Sequence, residues 1–230
     1  STIAEMTNGI ILAHFEKETG IQETAYQSEA ELENKMIENL ISQGYERIVI
    51  KSNSDLYSNL KTQIEKLNDV TFSEDEWDRF LKEYLDAPNE GIIEKTRKIQ
   101  EDHIHDFIFD DGHLKNIKII DKKNIHNNFL QVTNQVWGEG KSRNRYDVTI
   151  LVNGLPLVHI ELKKRGVNMH EAFNQIHRYS KESFNSGNSL YKYVQLFVIS
   201  NGTYTRYFAN TTAQNKNHYE FTCEWADAKN

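Results

Sequence analysis

The chain has 230 residues, of which 38% are hydrophobic and 27% are charged, and its net charge at pH 7 is −7. A chain of this length can bury a sizeable core, and its acidic balance argues against nonspecific nucleic-acid binding through overall charge. Cys223 is the only cysteine, which excludes an intrachain disulfide and a thiolate metal cluster and favours a reducing, cytoplasmic setting. No apolar run approaches the ~20 residues of a membrane span and no signal-peptide pattern is seen, so we expect no membrane association.

The first half of the chain is predicted to be mainly helical. Ser28 and Glu31 form a capping box at the start of a helix that ends near Gln43. The following elements are expected to be a short strand at 46–51, helices at 54–68, 73–86 and 92–99, and strands at 105–121, broken near Asp110–Gly112, and at 128–137. This half therefore predicts helices packed beside the first strands of a sheet.

Residues 146–166 are predicted to form a β-hairpin around Asn153-Gly154, with alternating side chains on both strands. One face of the hairpin is apolar and consists of Val148, Ile150, Val152, Val158, Ile160 and Leu162. The opposite face is polar and consists of Asp147, Thr149, His159, Glu161 and Lys163. The hairpin therefore gathers two carboxylates and a lysine on one face.

The register of this hairpin decides whether the two carboxylates meet. A two-residue turn at Asn153-Gly154 with unbroken pairing would set Asp147 against Ile160, which puts Asp147 and Glu161 on opposite faces. We therefore predict that the hairpin does not close on Asn-Gly in the simplest way. An odd-length loop or a β-bulge is required, and Pro156, which cannot donate to the ladder, marks its place.

The polar face has the composition of a metal-dependent hydrolytic site. Neighbouring carboxylates repel one another unless a cation or a proton joins them. Mg²⁺ is commonly bound by one or two carboxylates and keeps positions for water and a phosphate, while the lysine can orient water or offset charge on the phosphate. The spacing Asp147…Glu161-x-Lys163 therefore favours phosphodiester hydrolysis. The alternative is a solvated face with a cross-strand Glu–Lys pair, which also fits so short a pattern.

The remaining elements complete a mixed α/β unit. Asn168 and Glu171 predict a second capping box and a helix to about Phe184, on which Gln175 and Tyr179 share a face. The inward side of this helix is predicted to consist of Ala172, Phe173 and Ile176. The run 193–200 is expected to be a strand buried on both faces, with 203–208 beside it or after it. The polar residues 211–230 are expected to be a tail or linker.

Several other segments and residues of the sequence resemble binding sites. The segment 138–142, GEGKS, resembles the end of a phosphate-binding loop, but Gln135 stands where that loop needs a glycine and a strand follows it, so we predict no ATP site. His103, His105 and His113 have no zinc-ligand spacing. His159 shares the face of Glu161, where a histidine could assist a phosphate, but it is expected to be a surface imidazole. Basic residues bracket the hairpin and are candidate phosphate contacts: Lys141, Arg143, Arg145, Lys164 and Arg165.

The order D…ExK followed by a helical QxxxY resembles the RecB-like branch of the PD-(D/E)xK nuclease superfamily. More specifically, "NRYDVTILVNGLPLVHIELKKRG", "EAFNQIHRYSKESFNS" and "QLFVISNGTYTRYFANTT" resemble the N-terminal nuclease domain of the R (motor) subunit of type I restriction enzymes, closest to the type IC branch. The resemblance covers nearly the whole chain. It implies a single domain over 1–230 with a restriction-endonuclease-like core, a mixed sheet flanked by helices in αβββαβ order, and extra N-terminal helices.

The resemblance also implies site residues. Asp147, Glu161 and Lys163 would be catalytic, and Mg²⁺ would be held by the two carboxylates and the backbone carbonyl of Leu162. Gln175 and Tyr179 would contact the DNA backbone or steady the metal site. The superfamily often has an acidic residue on its first helix. Glu33 is a candidate for this further ligand, whereas Glu29, in the first turn, is better explained by the helix dipole.

The function that the resemblance implies is Mg²⁺-dependent cleavage of double-stranded DNA within a cytoplasmic type I restriction complex. Its partners would be methyltransferase and specificity subunits, and ATP would act only through motor domains for which this chain has no room. Two alternatives stay open. One is a free-standing repair or recombination nuclease of the same superfamily. The other is a non-catalytic docking module of the restriction complex.

Overall fold

The computed structural model describes residues 28–137, 145–180, 189–213 and 218–225, without the side chains of Trp137 and Arg145. Its α-helices are α1 (Glu29–Ser42), α2 (Asn53–Asn68), α3 (Glu74–Phe80), α4 (Ile92–Gln100) and α5 (Met169–Tyr179). Its strands are β1 (Glu46–Arg47), β2 (Ile104–Ile108), β3 (Leu114–Lys118), β4 (Leu130–Trp137), β5 (Arg145–Val152), β6 (Leu155–Leu162), β7 (Leu196–Ser200), β8 (Thr205–Ala209) and β9 (Cys223–Glu224). Within these ranges, no helix is both long and apolar enough to cross a membrane.

The architecture is the mixed α/β fold that the sequence predicted. A seven-stranded sheet has the order β1-β4-β5-β6-β7-β8-β9, and β2 and β3 form a separate two-stranded sheet. The β1–β4 and β6–β7 pairs are parallel and the other pairs are antiparallel. The predicted αβββαβ core corresponds to α1, β4, β5, β6, α5 and β7, with the extra helices between α1 and β4.

Helices cover both faces of the central hairpin formed by β5 and β6. The apolar face packs with α1 in a cluster that consists of Ile37, Leu40, Tyr45, Val132, Val148, Ile150, Ile160, Leu162 and Val198. The other face is covered by α5, whose Ala172, Phe173 and Ile176 are buried as predicted. The polar face of the hairpin is therefore the inside of a second helix–sheet interface rather than a solvated surface.

Local chemistry explains most of the helix boundaries. Ser28 and Glu31 form the predicted capping box, with Glu31 N donating to Ser28 Oγ at 3.2 Å and Ser28 N donating to Glu31 Oε2 at 2.7 Å. The second predicted capping box is wrong in detail. Asn168 caps α5 through a hydrogen bond from His170 N, at 3.0 Å, since its side chain reaches the second residue of the helix. The predicted end of this helix near Phe184 lies outside the described residues.

Two predicted elements are shorter than expected. The strand predicted at 46–51 pairs with β4 only through Glu46–Arg47. The helix predicted at 73–86 is α-helical only to Phe80 and continues as a π-helical segment, Leu81–Leu85. In the wider π-helical turn, some backbone carbonyl oxygens can accept hydrogen bonds from outside the helix. Two buried lysines donate such bonds, Lys95 to Leu85 O at 2.5 Å and Lys98 to Tyr84 O.

The hairpin closes on the two-residue Asn153-Gly154 turn, so that part of our register prediction is wrong. Both turn residues have positive φ, +51° and +82°, as a type I′ turn requires. The turn is also buried. Asn153 donates to Ile119 O and to Asn128 Oδ1, and its Oδ1 accepts from Phe129 N. These bonds satisfy the polar groups of a turn that would otherwise be solvated.

The second part of the register prediction, a bulge at Pro156, is confirmed. Leu151 pairs with Pro156 whereas Ile150 pairs with Val158, so Leu157 is the extra residue in β6. Beyond this bulge Val148 pairs with Ile160, and the next position on each strand brings Asp147 opposite Glu161. One irregular residue thus restores the apolar face and puts the two carboxylates on the same side.

Gly154 is the glycine whose replacement we expect to destabilise the hairpin strongly. An added Cβ would lie 2.6 Å from the Cα of Leu60 in α2, and the backbone has a φ of +82°. We expect Gly154→Ala to lower the free energy of unfolding by about 2–4 kcal/mol, through left-handed strain and overpacking against the helix backbone. Urea denaturation measures this change.

Gly112→Ala is the matched control for steric crowding. Gly112 has a φ of +87°, but nothing lies within 4 Å of its added Cβ, so only the left-handed strain of about 1–2 kcal/mol applies. Equal losses in the two variants would show that the close approach of the turn to α2 does not contribute.

Candidate functional site

The candidate site lies where β5 begins and β6 ends. At this point a side chain of β5, rather than its backbone, accepts the hydrogen bond from β6. Asp147 Oδ2 accepts a hydrogen bond from Leu162 N at 2.8 Å. Leu162 itself is buried on the α1 face. On the neighbouring strand, Leu162 pairs with Ser200 and Lys163 N donates to Ser200 O at 2.8 Å. The backbone around Leu162 is therefore fixed from both sides, by a carboxylate and by β7.

Glu161 is fully buried at the centre of the site. Its Oε1 accepts a hydrogen bond from Lys163 Nζ at 3.1 Å. Its Oε2 makes no hydrogen bond to the described part of the chain, although His159 Nε2 lies 3.4 Å away. A buried carboxylate oxygen without a hydrogen bond is unusual. A cation or a hydrogen-bond donor placed beside this oxygen would therefore be stabilised.

Both carboxyl groups hold their protons more tightly than ordinary carboxyls. Burial, reinforced by the negative charge of Glu161, raises the pKa of Asp147 to about 7. Burial also raises the pKa of Glu161 to about 7, against the lowering effect of the Lys163 ammonium. Such a pair is poised to exchange its protons for a divalent cation near neutral pH.

The residues present fit a divalent cation with oxygen ligands. No group of three or more His, Cys, Asp or Glu side chains suited to a metal occurs within the described ranges. The candidate centre therefore rests on Asp147 and Glu161, with the Leu162 carbonyl as the backbone oxygen between Glu161 and Lys163. Two carboxylates and one carbonyl suit Mg²⁺, which commonly keeps several of its waters.

The two candidate acids of α1 differ in their surroundings. Glu33 is buried and its Oε1 accepts from Asn134 Nδ2 of β4 at 2.5 Å. Glu29 is exposed, lies 3.4 Å from Lys164 N, and its charge is one of the causes that raise the pKa of Glu161. The sequence pattern favoured Glu33, but among the described contacts it is Glu29 that acts on the site electrostatically.

Gln175 and Tyr179 meet on the face of α5 that covers the hairpin. Gln175 Nε2 donates to Tyr179 Oη at 2.5 Å. The Tyr179 ring is buried and contacts Tyr146 edge-on, with ring centroids 5.2 Å apart. Burial and then the charge of Glu161 raise the pKa of Tyr179 to about 12, so its hydroxyl keeps its proton. The structure thus brings both residues to the same side as Glu161.

The predicted basic residues are only partly described. Lys164 and Arg165 are exposed directly after β6, beside the half-buried Lys163. Lys141, Arg143 and the 138–142 loop lie outside the described residues, and Arg145 is described only as the first residue of β5. Their predicted contacts with phosphate, and the predicted lack of an ATP site, therefore stay predictions.

His159 is a residue whose surroundings the sequence reasoning missed. It is fully buried rather than the surface imidazole that we expected, because α5 and the segment Leu190–Tyr193 cover this side of the sheet. Burial lowers its pKa to about 4, which keeps the imidazole neutral at pH 7. The signal in the sequence was its place on the Glu161 face between apolar neighbours.

Comparison with known proteins identifies the family. Residues 26–216 match the family model described as type I restriction enzyme R protein N terminus. The chain is 56% identical over 229 residues to the type I restriction enzyme EcoprrI endonuclease subunit of Escherichia coli, covering 99% of this chain and 73% of that protein.

Staphylococcal relatives are more distant and much longer. The chain is 40% identical over 211 residues to the SauMSSORF170P endonuclease subunit of Staphylococcus aureus, and 38% identical over 210 residues to the SsaAORF53P endonuclease subunit of Staphylococcus saprophyticus. These matches cover 90% and 89% of this chain but 22% of each relative. The chain therefore belongs to the family formed by the N-terminal region of type I restriction enzyme R proteins, a family of restriction endonucleases.

Proposed function

We propose that this chain is the nuclease domain of a type I restriction-modification R subunit and that it cleaves double-stranded DNA with Mg²⁺. The observation that carries the proposal is the meeting of Asp147 and Glu161 beside Lys163, across a hairpin whose bulge brings the two carboxylates to the same side. Family membership and the names of the relatives, which call them endonuclease subunits, support the same reaction.

Each site residue has a role that its surroundings allow. Asp147, Glu161 and the Leu162 carbonyl would hold the cation, which when bound supplies charge stabilisation at the phosphate and a more acidic water. Lys163 places an ammonium beside Glu161, where it offsets charge developing on a phosphate oxygen or orients water. Glu33 remains our candidate for an additional carboxylate from α1.

The DNA contacts would surround this site. Gln175 and Tyr179 line its α5 side, and the exposed Lys164 and Arg165 follow the catalytic strand. Lys141, Arg143 and Arg145 would add positive charge before β5. Such contacts to phosphate make affinity fall steeply with salt and carry no base sequence, which suits a nuclease whose target is chosen elsewhere.

The wider assembly is part of the same proposal. Residues 1–230 would form a single nuclease domain, with 211–230 leading towards motor domains that hydrolyse ATP. Methyltransferase and specificity subunits would complete a cytoplasmic complex and read the target site. The greater length of the staphylococcal relatives agrees with such an arrangement.

Metal titration tests whether the site is catalytic or only structural. We expect Mn²⁺ or Mg²⁺ to bind this chain at the hairpin, measured by calorimetry, and DNA cleavage by the full complex to require that metal. A chain that binds neither ion while folded would support the docking module instead. Cleavage by the chain alone, with no other subunit, would favour the free-standing nuclease.

Lys163→Ala is expected to lower the rate of cleavage more than it weakens metal binding. The ammonium acts on charge that develops in the transition state, so its loss should reduce the rate at saturating metal about 10²–10³-fold. Single-turnover cleavage over a range of Mg²⁺ concentrations separates the two effects. Lys164→Ala, at the exposed next residue, is the control. A collapse of metal affinity with a normal rate at saturating metal would contradict the assigned role.

A further inference from the structure

The imidazole of His159 is held by aromatic rings and also lies beside a carboxylate of the candidate site. Three aromatic rings surround it edge-on: Tyr146, Tyr179 and Phe197, at centroid distances of 5.5, 6.1 and 6.3 Å and interplanar angles of 74°, 70° and 82°. Nε2 of the same ring lies 3.4 Å from Glu161 Oε2. The ring is thus held by packing while one nitrogen faces a carboxylate.

We propose that His159 is a positioning residue for Glu161, which fixes the orientation of its carboxylate before metal binds; this rests on the proposed function of Glu161 as a metal ligand. Lys163 holds Oε1 at 3.1 Å and His159 faces Oε2, so the two neighbours together define the carboxylate plane. At 3.4 Å, Nε2 and Oε2 are in electrostatic contact without the geometry of a hydrogen bond.

The physical reason is the freedom of a glutamate side chain. Glutamate has three rotatable bonds, and a buried carboxylate held at one oxygen can still turn about the last of them. A second polar neighbour removes that freedom, and metal affinity gains because less order is lost on binding. The rings of Tyr146 and Phe197 extend this effect to β5 and β7, since they hold the imidazole itself.

The test compares His159 variants by Mn²⁺ affinity, measured calorimetrically on the folded chain at one pH. His159→Phe keeps an aromatic ring within the cage but lacks the nitrogen, and we expect about a 10-fold or greater loss of affinity. His159→Gln can place an amide near the position of Nε2 and should recover affinity to within a few-fold of wild type. His159→Asn ends nearer to Nδ1, so its amide should not reach Glu161 and its affinity should resemble that of His159→Phe.

The controls separate positioning from structure. His105→Phe alters a half-buried histidine that stacks on Tyr84, with centroids 4.6 Å apart, and should leave Mn²⁺ affinity unchanged. Thermal unfolding without metal checks that every variant folds. If His159→Phe fails to fold, the comparison of Gln with Asn decides the matter, because both are polar and differ mainly in reach.

Two failures are distinguishable. Wild-type protein that binds no Mn²⁺ would overturn the proposed function and the positioning role together. Wild-type protein that binds Mn²⁺, with folded His159→Phe or His159→Asn binding it equally well, would overturn only the role of His159. Equal losses in the Gln and Asn variants would also overturn it, since reach to Glu161 would then not matter.

Discussion

Asp147→Asn is expected to abolish DNA cleavage by the assembled enzyme while leaving the chain folded. The substitution keeps the shape of the side chain and an oxygen that can accept from Leu162 N. It removes the negative charge that would hold the cation, and the loss of several kcal/mol of transition-state stabilisation corresponds to a rate at least about 10³-fold lower. Glu161→Gln should have an effect of the same size, for the same reason.

Plasmid cleavage with separately purified subunits measures this loss. Asp78→Asn, on the exposed side of α3, is the matched control because it makes the same chemical change away from the hairpin. DNA binding by the complex should be retained in both site variants, since neither carboxylate attracts phosphate. A folded Asp147→Asn protein that cleaves at the wild-type rate would remove Asp147 from the site.

The sequence was sufficient to predict the hairpin register because two local patterns disagreed. Asn153-Gly154 specified a tight turn, whereas alternation required Val148 and Ile160 to share a face, and both hold at once only with an extra residue. Parity therefore required an irregularity in the hairpin, and the missing backbone donor of Pro156 indicated its place. The same argument could not show that the tight turn itself would survive, since an odd-length loop satisfies parity equally well.

The burial of His159 was beyond sequence reasoning for a different reason. Alternation along a strand assigns residues to two faces but does not say what covers each face. In the structure, the covering comes from distant segments: Tyr179 lies on α5, and Tyr191 donates or accepts a 3.0 Å hydrogen bond with Thr149 Oγ1. Because both faces of the strand are covered, the polar side chains of one face are buried rather than exposed to solvent.

The two buried lysines of α4 illustrate the same limit within a helix. Lys95 and Lys98 occur in a charged helical sequence that would ordinarily be placed in solvent. They are buried because the π-helical segment Leu81–Leu85 presents carbonyl oxygens to them, and Glu90 Oε2 accepts from Lys95 Nζ at 2.8 Å. No residue pattern in 73–86 distinguishes a π-helical end from an α-helical one.

The raised pKa values of the two site carboxyls should also make the free energy of unfolding depend strongly on pH. In the unfolded chain, Asp147 and Glu161 lose their protons near their ordinary pKa values of 3.8 and 4.5, whereas in the folded chain they lose them near pH 7. Between about pH 4 and pH 7 the folded state therefore binds more protons than the unfolded state. Stability contributed by these groups falls as pH rises through this window, and the full penalty is present above it.

Asp147→Asn isolates this contribution. The variant carries no charge at position 147, which also relieves the repulsion on Glu161, so we expect it to be more stable than wild type at pH 8 without metal, by about 2–4 kcal/mol. At pH 4, where both carboxyls of the folded wild type are protonated, the difference should nearly vanish. His159 contributes in the opposite sense, since its lowered pKa makes stability rise with pH over part of the same window, and comparing the two proteins removes most of this contribution but not the part that arises from the charge of Asp147.

Metal should reverse the order of the two proteins. A cation that binds only the folded wild type stabilises it by about 4.1 kcal/mol at a concentration 1,000 times its dissociation constant, which exceeds the metal-free advantage of the variant, and its affinity should increase with pH as protons cease to compete. Asp147→Asn, with one carboxylate left, should gain little. Urea denaturation at pH 4, 6 and 8, with Mg²⁺ or with a chelator, measures the stability of both proteins with and without metal at each pH. If wild type and variant follow the same pH profile without metal, the pKa of Asp147 is not raised by folding. If Mg²⁺ stabilises both proteins equally, Asp147 and Glu161 do not share an ion, and the bulged register has another cause.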